Sequence, residues 1–534
     1  MHGRLSMTNP GFVRRSVRSA LWALAATALV AGPGVASVAV AQGADGKLAF
    51  KFEGSSRCDR CHSEPRERDK EKKKGDDGIE RAVTDVLFLN EFTTWKLQDR
   101  HSLAFHVLEG ERSKRMGEIL GKSVTDPATG CLNCHSTKIT DTPKSMETLK
   151  DYDVDGVTCE TCHGPAEKWF APHSDDRPDE IKAWRNMPAA EKAKLGFADI
   201  HNPAVKTKLC MSCHLGSVAE GKVVTHEMYA AGHPPLPSVE PETLSQAMPA
   251  HWRTLDKKEK WVQDEFAAVQ DFKPGQSEST RQIVLGSLAS FTESLRLLES
   301  ASADEQTWPD FAMFDCYACH HDLKRPSWRQ ERGYATKPGR PTFRAWPDAL
   351  ARASLSALGK EPSLVDGTLV EINKNLSGRP FGDPATLKGI ALKSRESFDA
   401  AVLPAIGDRA WDKDFARQFM LAIAATAKER NWDYDSARQL AWAYRAVYKD
   451  ATVGYPSSPE IDGALAALKE SLALDPYGDA RATRKDEKEV TFLEDTYKEM
   501  LGKLIEYDPA VFKAEFAKIS ASMGQPAKTA LRAP

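Results

Sequence analysis

The sequence predicts a mainly α-helical protein in two modules, the first crowded with loops and short helices and holding few strands, the second all-α. Three observations carry this. Every cysteine, and every histidine beyond residue 41, falls between Ser56 and Leu323. Gly333, Pro338, Gly339, Pro341 and Pro347 then interrupt the chain. Beyond them, apolar residues recur at helical spacing. The expected boundaries are a leader over residues 1–41, a first module over 42–335 and a second over 345–534.

The chain has 534 residues, a net charge of −3, 41% apolar and 28% charged residues, the profile of an ordinary soluble protein with chain enough for more than one core. No basic excess points to nucleic acid. In the leader, Arg14, Arg15 and Arg18 precede an apolar run over 20–30, followed by Gly32-Pro33 and the small residues Ala39-Val40-Ala41. This is the pattern of a secretory signal peptide, and membrane association is expected only if the segment is retained. Its removal takes away four arginines and no acid, moving the net charge from −3 to −7.

The ten cysteines form five Cys-x-x-Cys pairs, each followed at once by histidine: Cys58/Cys61/His62, Cys131/Cys134/His135, Cys159/Cys162/His163, Cys210/Cys213/His214 and Cys316/Cys319/His320. Two thiols three positions apart can each form a thioether to one porphyrin edge, with the next side chain under the iron as axial ligand. Disulfides, zinc sites and redox dithiols do not require that histidine. With 14 His in 534 residues, five such neighbours would arise by chance about once in 10⁸. The reading is five covalently attached haem c groups with their iron, so the first module is a multihaem cytochrome c module. Haem is attached outside the cytoplasm, and Arg14-Arg15-Ser16-Val17 matches the signal for folded export poorly. A Sec-type route to the periplasm follows.

Within this module the run Lys70-Glu71-Lys72-Lys73-Lys74 reads as a solvated insertion ending at Asp77. In the second module Ser458-Pro459 supplies an N-cap and first-turn proline, Ile461, Leu465, Leu468 and Leu472 share a face, and Pro476 ends the helix. Leu440, Tyr444, Val447 and Tyr448 form a second stripe, and Leu493, Tyr497, Met500, Leu501 and Leu504 a third. These aromatics read as core packing, and the module as a helical bundle for docking or dimerisation.

An iron with two histidines suits electron transfer, whereas one with an open sixth position can bind a small molecule. Eight further histidines follow the leader: His101, His106, His173, His201, His226, His233, His251 and His321. His321 adjoins His320, about 3.8 Å away by Cα, and cannot reach the opposite face of the same haem. His101 and His106 lie about 140° apart around a helix and cannot face one iron. Gly232 and Pro234 end any helix between His226 and His233, which could therefore serve two haems, or one haem and a propionate.

Gly156-Val157-Thr158-Cys159-Glu160-Thr161-Cys162-His163-Gly164-Pro165, with His173 following, resembles the multihaem cytochromes related to the tetrahaem electron carrier of ammonia oxidisers and to hydroxylamine oxidoreductase. The stretch from Trp95 to His101, the segment from Thr225 to Pro234 and the closing motif from Asp315 to His321 are similar to elements of the same family, so the resemblance covers about residues 55–325. It implies haems stacked in near-contact pairs, and distal ligands at His101, His173, His226 and His233, then His321, with His251 or His106 in reserve. The chain lacks the Cys-x-x-Cys-Lys motif of pentahaem nitrite reductases, and the tyrosine crosslink of hydroxylamine oxidoreductase cannot be placed in it. By analogy with the tetrahaem carrier, the haem on Cys131, Cys134 and His135 would hold the open position.

The expectation is a periplasmic electron carrier without catalytic residues, working between redox partner proteins such as a membrane quinol oxidoreductase and a periplasmic reductase. Its anionic surface would favour a basic partner. The rival is an oxidoreductase acting on a small nitrogen or sulfur compound at a five-coordinate haem on His135, with His106 or His201 moving protons. A third class is a scaffold whose haem-free module docks a partner enzyme.

Overall fold

A 24-residue amphipathic helix, Glu278–Ala301, organises the molecule. Its start is satisfied from outside: the Asp450 carboxylate accepts from the Thr280 N–H (2.8 Å) and hydroxyl (3.1 Å). In the computed structural model, which describes residues 50–75, 77–175, 177–267, 273–304, 308–331, 336–344, 346–407, 409–452, 457–475 and 501–523, two faces of this helix meet different neighbours. On one, Gly286 comes so close to Thr207 of helix Pro203–His214 that a methyl group would lie 3.2 Å from its hydroxyl. On the other, Ile283, Val284, Leu288, Phe291, Leu295 and Leu298 enter a core shared with the helices beyond residue 345. Phe291 packs on Phe398 (5.2 Å between ring centres), the Ser287 and Ser354 hydroxyls share a hydrogen bond (2.7 Å), and Arg395 reaches Glu299 (3.0 Å).

The C-terminal part is all-α among the described residues. It comprises Trp346–Ala357, Ser363–Gly378, Pro384–Ile406, Lys413–Glu429, Tyr434–Thr452, Pro459–Ser471 and Pro509–Met523. Side-chain caps begin several of them: Asp383 accepts from Thr386 N–H, Asp412 from Phe415 N–H and Ser458 from Ile461 N–H, with Pro384 and Pro459 in first-turn positions. The stripes at Ile461, Leu465 and Leu468, and at Leu440, Tyr444, Val447 and Tyr448, are buried in the common core. Leu493, Tyr497, Met500 and Pro476 lie outside the described residues, as does the leader; Leu504 packs on the core. No helix among the described residues is long and apolar enough to cross a membrane.

Apart from Glu278–Ala301, the described residues of the N-terminal part form no such core. Its helices are short, its apolar residues gather in small separate clusters, and its strands form two ribbons, Lys73–Lys74 with Glu80–Arg81 and Thr137–Lys138 with Tyr152–Asp153. The lysine run thus makes an exposed hairpin closed by the Arg81–Asp77 ion pair (2.6 Å). The described residues belong to one compact unit. The fifth motif is stitched to the segment before Trp346, since Asp315 N–H donates to Thr342 O (2.8 Å) and Phe314 bridges Phe343.

Candidate haem-binding site

Each motif occupies a helical turn that ends at or near its histidine. The turns are Ser55–His62, Leu132–His135, Cys159–His163, Pro203–His214 and Cys316–Ala318. Asn202 caps the fourth through the N–H groups of Ala204 and Val205, and Asp315 caps the fifth through Tyr317 N–H (2.8 Å). The ten thiols are free. Among the described residues no group of three or more His, Cys, Asp or Glu side chains converges as a metal cage, as a structural zinc site would require.

Histidines meet in pairs instead. His62 and His173 have ring centres 5.9 Å apart with planes at 6°, His101 and His214 6.4 Å at 87°, His135 and His233 6.4 Å at 78°, and His226 and His320 6.3 Å at 28°. Two imidazole–metal bonds of about 2.0 Å, with a half-ring on either side, set ring centres roughly 6 Å apart. Every pair joins one motif histidine to one remote histidine, so the donor set fits a haem iron with two axial imidazoles. His226 and His233 face two different motif histidines, and His135, where the resemblance implied an open position, has His233 across from it.

Second partners aim these rings. Nδ1–H donates to Glu91 from His62 (2.8 Å), to Asp99 from His101 (3.0 Å), to Ala104 O from His135 (2.7 Å) and to Pro234 O from His233 (2.7 Å). Each bond leaves Nε2 to face the partner ring and raises ligand basicity. Burial works against protonation of His62 and His101, yet the Glu91 and Asp99 carboxylates outweigh it and hold both above the usual histidine range. Elsewhere burial dominates: His163 is pushed down to about 3, and His173 and His214 to about 4. Neutral imidazole is the ligand form.

The resemblance segments have local reasons for their sequence. Trp95 Nε1–H donates to Val157 O (3.1 Å) and Val157 N–H to His101 O (3.0 Å). Gly156, at φ 95°, packs so tightly that a methyl group there would sit 2.6 Å from His101 O, so only glycine fits. Glu160, inside the third motif, accepts from Glu53, Gly54 and Ala166 N–H groups and fastens the start of the described chain.

The first four motifs and the pairs around them line one cavity of about 2950 Å³, well beyond the ~300–1,000 Å³ of a pocket for one drug-sized ligand. Within it the Cys58 and Cys159 thiols are neighbours, as are those of Cys134 and Cys213, and Cys162 lies near Cys210 and Cys213. Tyr229 touches His233 (5.9 Å between ring centres) and lies near Cys316 of the fifth motif.

The fifth motif lies outside that cavity. Cys316 and Cys319 are both exposed, as is Cys61 of the first motif, but Cys316 and Cys319 lie outside the cavity that the first four motifs share. Cys319 departs furthest. The turn Cys316–Ala318 stops one residue before it, leaving Cys319 as the C-cap at φ −116° and ψ −39°, with its N–H on Cys316 O (3.2 Å). The reason lies in the anchoring: the Asp315–Thr342 bond and the Phe314–Phe343 bridge hold this motif at the base of the helical part, away from where the other four converge. Cys316 and Cys319, with His320 and His226, are the residues that would hold a haem there.

The other histidines stand apart from these pairs. His321 donates Nδ1–H to Asp322 O (2.7 Å), His106 bonds Glu109 (3.1 Å), and His201 and His251 line the cavity. Sequence reasoning missed Glu91 and Asp99 as orienting groups. Asp99 carried a signal, two residues before His101; Glu91 did not, since only the fold brings it to His62.

Residues 88–164, which hold the second and third motifs, match the family model described as cytochrome c554 and c-prime. The match supports a c-type cytochrome that binds haem c covalently and carries electrons. No curated protein and no solved structure matches the chain.

Proposed function

We propose that the chain is a periplasmic pentahaem cytochrome c, exported by a Sec-type signal peptide. It relays electrons between redox partner proteins, such as a membrane quinol oxidoreductase and a periplasmic reductase. The observation that carries this reading is the set of four motif-to-remote histidine pairs at 5.9–6.4 Å. Haem supplies reversible one-electron exchange at iron, and two histidines saturate that iron for transfer rather than chemistry. The protein's part is to fix the His62, His101, His135 and His233 rings through their Nδ1 partners. His62 with His173, His135 with His233, His214 with His101, and His320 with His226 are the proposed axial sets.

The proximity of these thiols supports an order in space. The first motif adjoins the third, the third the fourth, the fourth the second, and Tyr229 links the second to the fifth. A relay along that order runs from the N-terminal module to the base of the helical module, and the exposure of Cys61 at one end and of Cys316 and Cys319 at the other suits both terminal haems to exchange with a partner. Purified from the periplasm, the protein should show five haems per chain by pyridine haemochrome and mass spectrometry. Fewer than five would overturn the reading.

A further inference from the structure

The chain that follows the fifth motif departs in charge from the rest of the molecule. Between Asp322 and Arg344 stand seven basic residues and two acidic ones, a net +5 in a chain of net −3. A run of charge is ordinarily a solvated face whose members are matched by neighbours. At the first motif, whose Cys61 is also exposed, Arg57 pairs with Glu53 (3.1 Å) and Lys70 with Glu67 (2.8 Å). At the fifth, Lys324, Arg325, Lys337 and Arg340 enter no ion pair among the described residues. The first three are exposed and the fourth half-buried.

The fold holds these cations beside the motif from two directions. Lys324 and Arg325 follow His320 by four and five residues, a reach of at most about 18 Å. Lys337 and Arg340 arrive from the other side on a tight turn, closed by Arg340 N–H donating to Lys337 O (3.0 Å). The buried Arg329 fastens that turn by donating to the Thr336 hydroxyl (3.1 Å) and to Arg340 O (3.0 Å). Two residues after Arg340, Thr342 O accepts from the N–H of Asp315, the neighbour of Cys316 (2.8 Å). Apolar side chains stand at the same motif. Phe311, 48% exposed, stacks on Phe381 (4.9 Å between ring centres) and meets His226 edge-on (5.4 Å), while Leu323 is fully exposed.

We propose that the surface at the fifth motif docks an acidic electron-carrier protein. Phe311 and Leu323 are its apolar contacts, and Lys324, Arg325, Lys337 and Arg340 its steering charges. An apolar centre with a polar rim suits a small transient interface. Exposed charge of one sign speeds association with the opposite sign and loses its effect as salt rises. The whole chain's charge favours a basic partner, whereas this end takes an acidic one. The proposal rests on the pentahaem reading, and the two fail differently.

The test uses purified holoprotein and flavodoxin, a small acidic electron carrier. In stopped flow the anionic flavin hydroquinone gives up one electron to become the neutral semiquinone, and one ferric iron becomes ferrous. The second-order rate should fall about tenfold or more from low to physiological salt. At low salt Lys324→Glu with Lys337→Glu should slow it about tenfold and weaken binding of oxidised flavodoxin in calorimetry. Lys324→Gln with Lys337→Gln should fall between. Lys144→Glu with Lys150→Glu makes the same charge change at exposed positions before the strand Tyr152–Asp153, and should stay within about twofold of wild type. A rate indifferent to salt, or equal losses in the Lys324/Lys337 and Lys144/Lys150 variants, would overturn the proposal. So would binding to phosphatidylglycerol vesicles that Lys324→Glu with Lys337→Glu abolishes while the flavodoxin rate holds, which would assign the cations to a lipid surface. Peptide mass spectrometry separates the two readings. Fewer than five haems with the Cys316 and Cys319 peptide loaded overturns the pentahaem count alone; that peptide without haem overturns both.

Discussion

The imidazoles of His62 and His173 face each other 5.9 Å apart with their planes within 6° of parallel, and Glu91 holds the first of them by its Nδ1–H at 2.8 Å. The carboxylate makes His62 a more basic ligand, which favours ferric over ferrous iron. Glu91→Gln should therefore raise the reduction potential of the first haem. Losing a charge-assisted hydrogen bond is worth about 1.5–3 kcal/mol in stability terms, and about 59 mV corresponds to a tenfold change in a one-electron equilibrium. A rise of roughly 50–100 mV in one haem potential, read by spectropotentiometry, is the expected result, with the others little changed.

Gly156→Ala places a methyl group against His101 O on a backbone with φ 95°. The strain costs on the order of 1–3 kcal/mol, and relief requires His101 to move away from His214. The variant should lose stability in denaturant titrations and show a perturbed low-spin signal from one haem. An unchanged spectrum would separate Gly156 from the His101 position.

Phe291 is buried where Glu278–Ala301 meets Phe398. Phe291→Ala should destabilise the whole chain by about 3–5 kcal/mol, seen as a single shifted unfolding transition in both helical circular dichroism and haem absorbance. Two separate transitions would mean that the haem-bearing and haem-free parts unfold independently. By the same packing, removal of residues 345–534 uncovers Ile283, Val284, Phe291 and Leu295 and should leave the haem-bearing part aggregated.

Asp348 is buried with Arg430 3.2 Å away. Burial raises its pKa to about 6, more than Arg430 and Arg352 lower it. The folded state therefore binds a proton more tightly than the unfolded state, and stability falls as pH rises from about 4 to about 6 and then levels off. The loss is at most about 3 kcal/mol, from 1.36 kcal/mol per pKa unit. Asp348→Asn should flatten this slope in denaturant titrations at pH 4, 5, 6 and 7. An unchanged slope would assign it to other groups.

The helices of the C-terminal part were legible in advance because Ser458-Pro459 and the stripe through Leu468 are local signals, read within a few turns. The reach of Glu278–Ala301 into that core was not, because its apolar face says only that something covers it. Lys73–Lys74 read as solvated insertion and is exposed, but its pairing with Glu80–Arg81 depends on a turn that charge patterning does not describe. The five motifs read alike in the sequence, yet Cys319 stands exposed at the end of its turn while Cys162 and Cys213 line the cavity. Spacing along the chain carries no information about which side of the fold a motif faces.

What the sequence by itself determined is local chemistry: five Cys-x-x-Cys-His motifs, each with two thiols and a histidine within five residues. What only the tertiary structure decided is which histidine meets which. His173 meets His62, His233 meets His135, and His163 meets Phe197. Attachment needs only neighbours in the chain, whereas an axial pair needs two rings at one spacing across a cavity, and segments far apart in sequence reach that spacing only when the fold is complete.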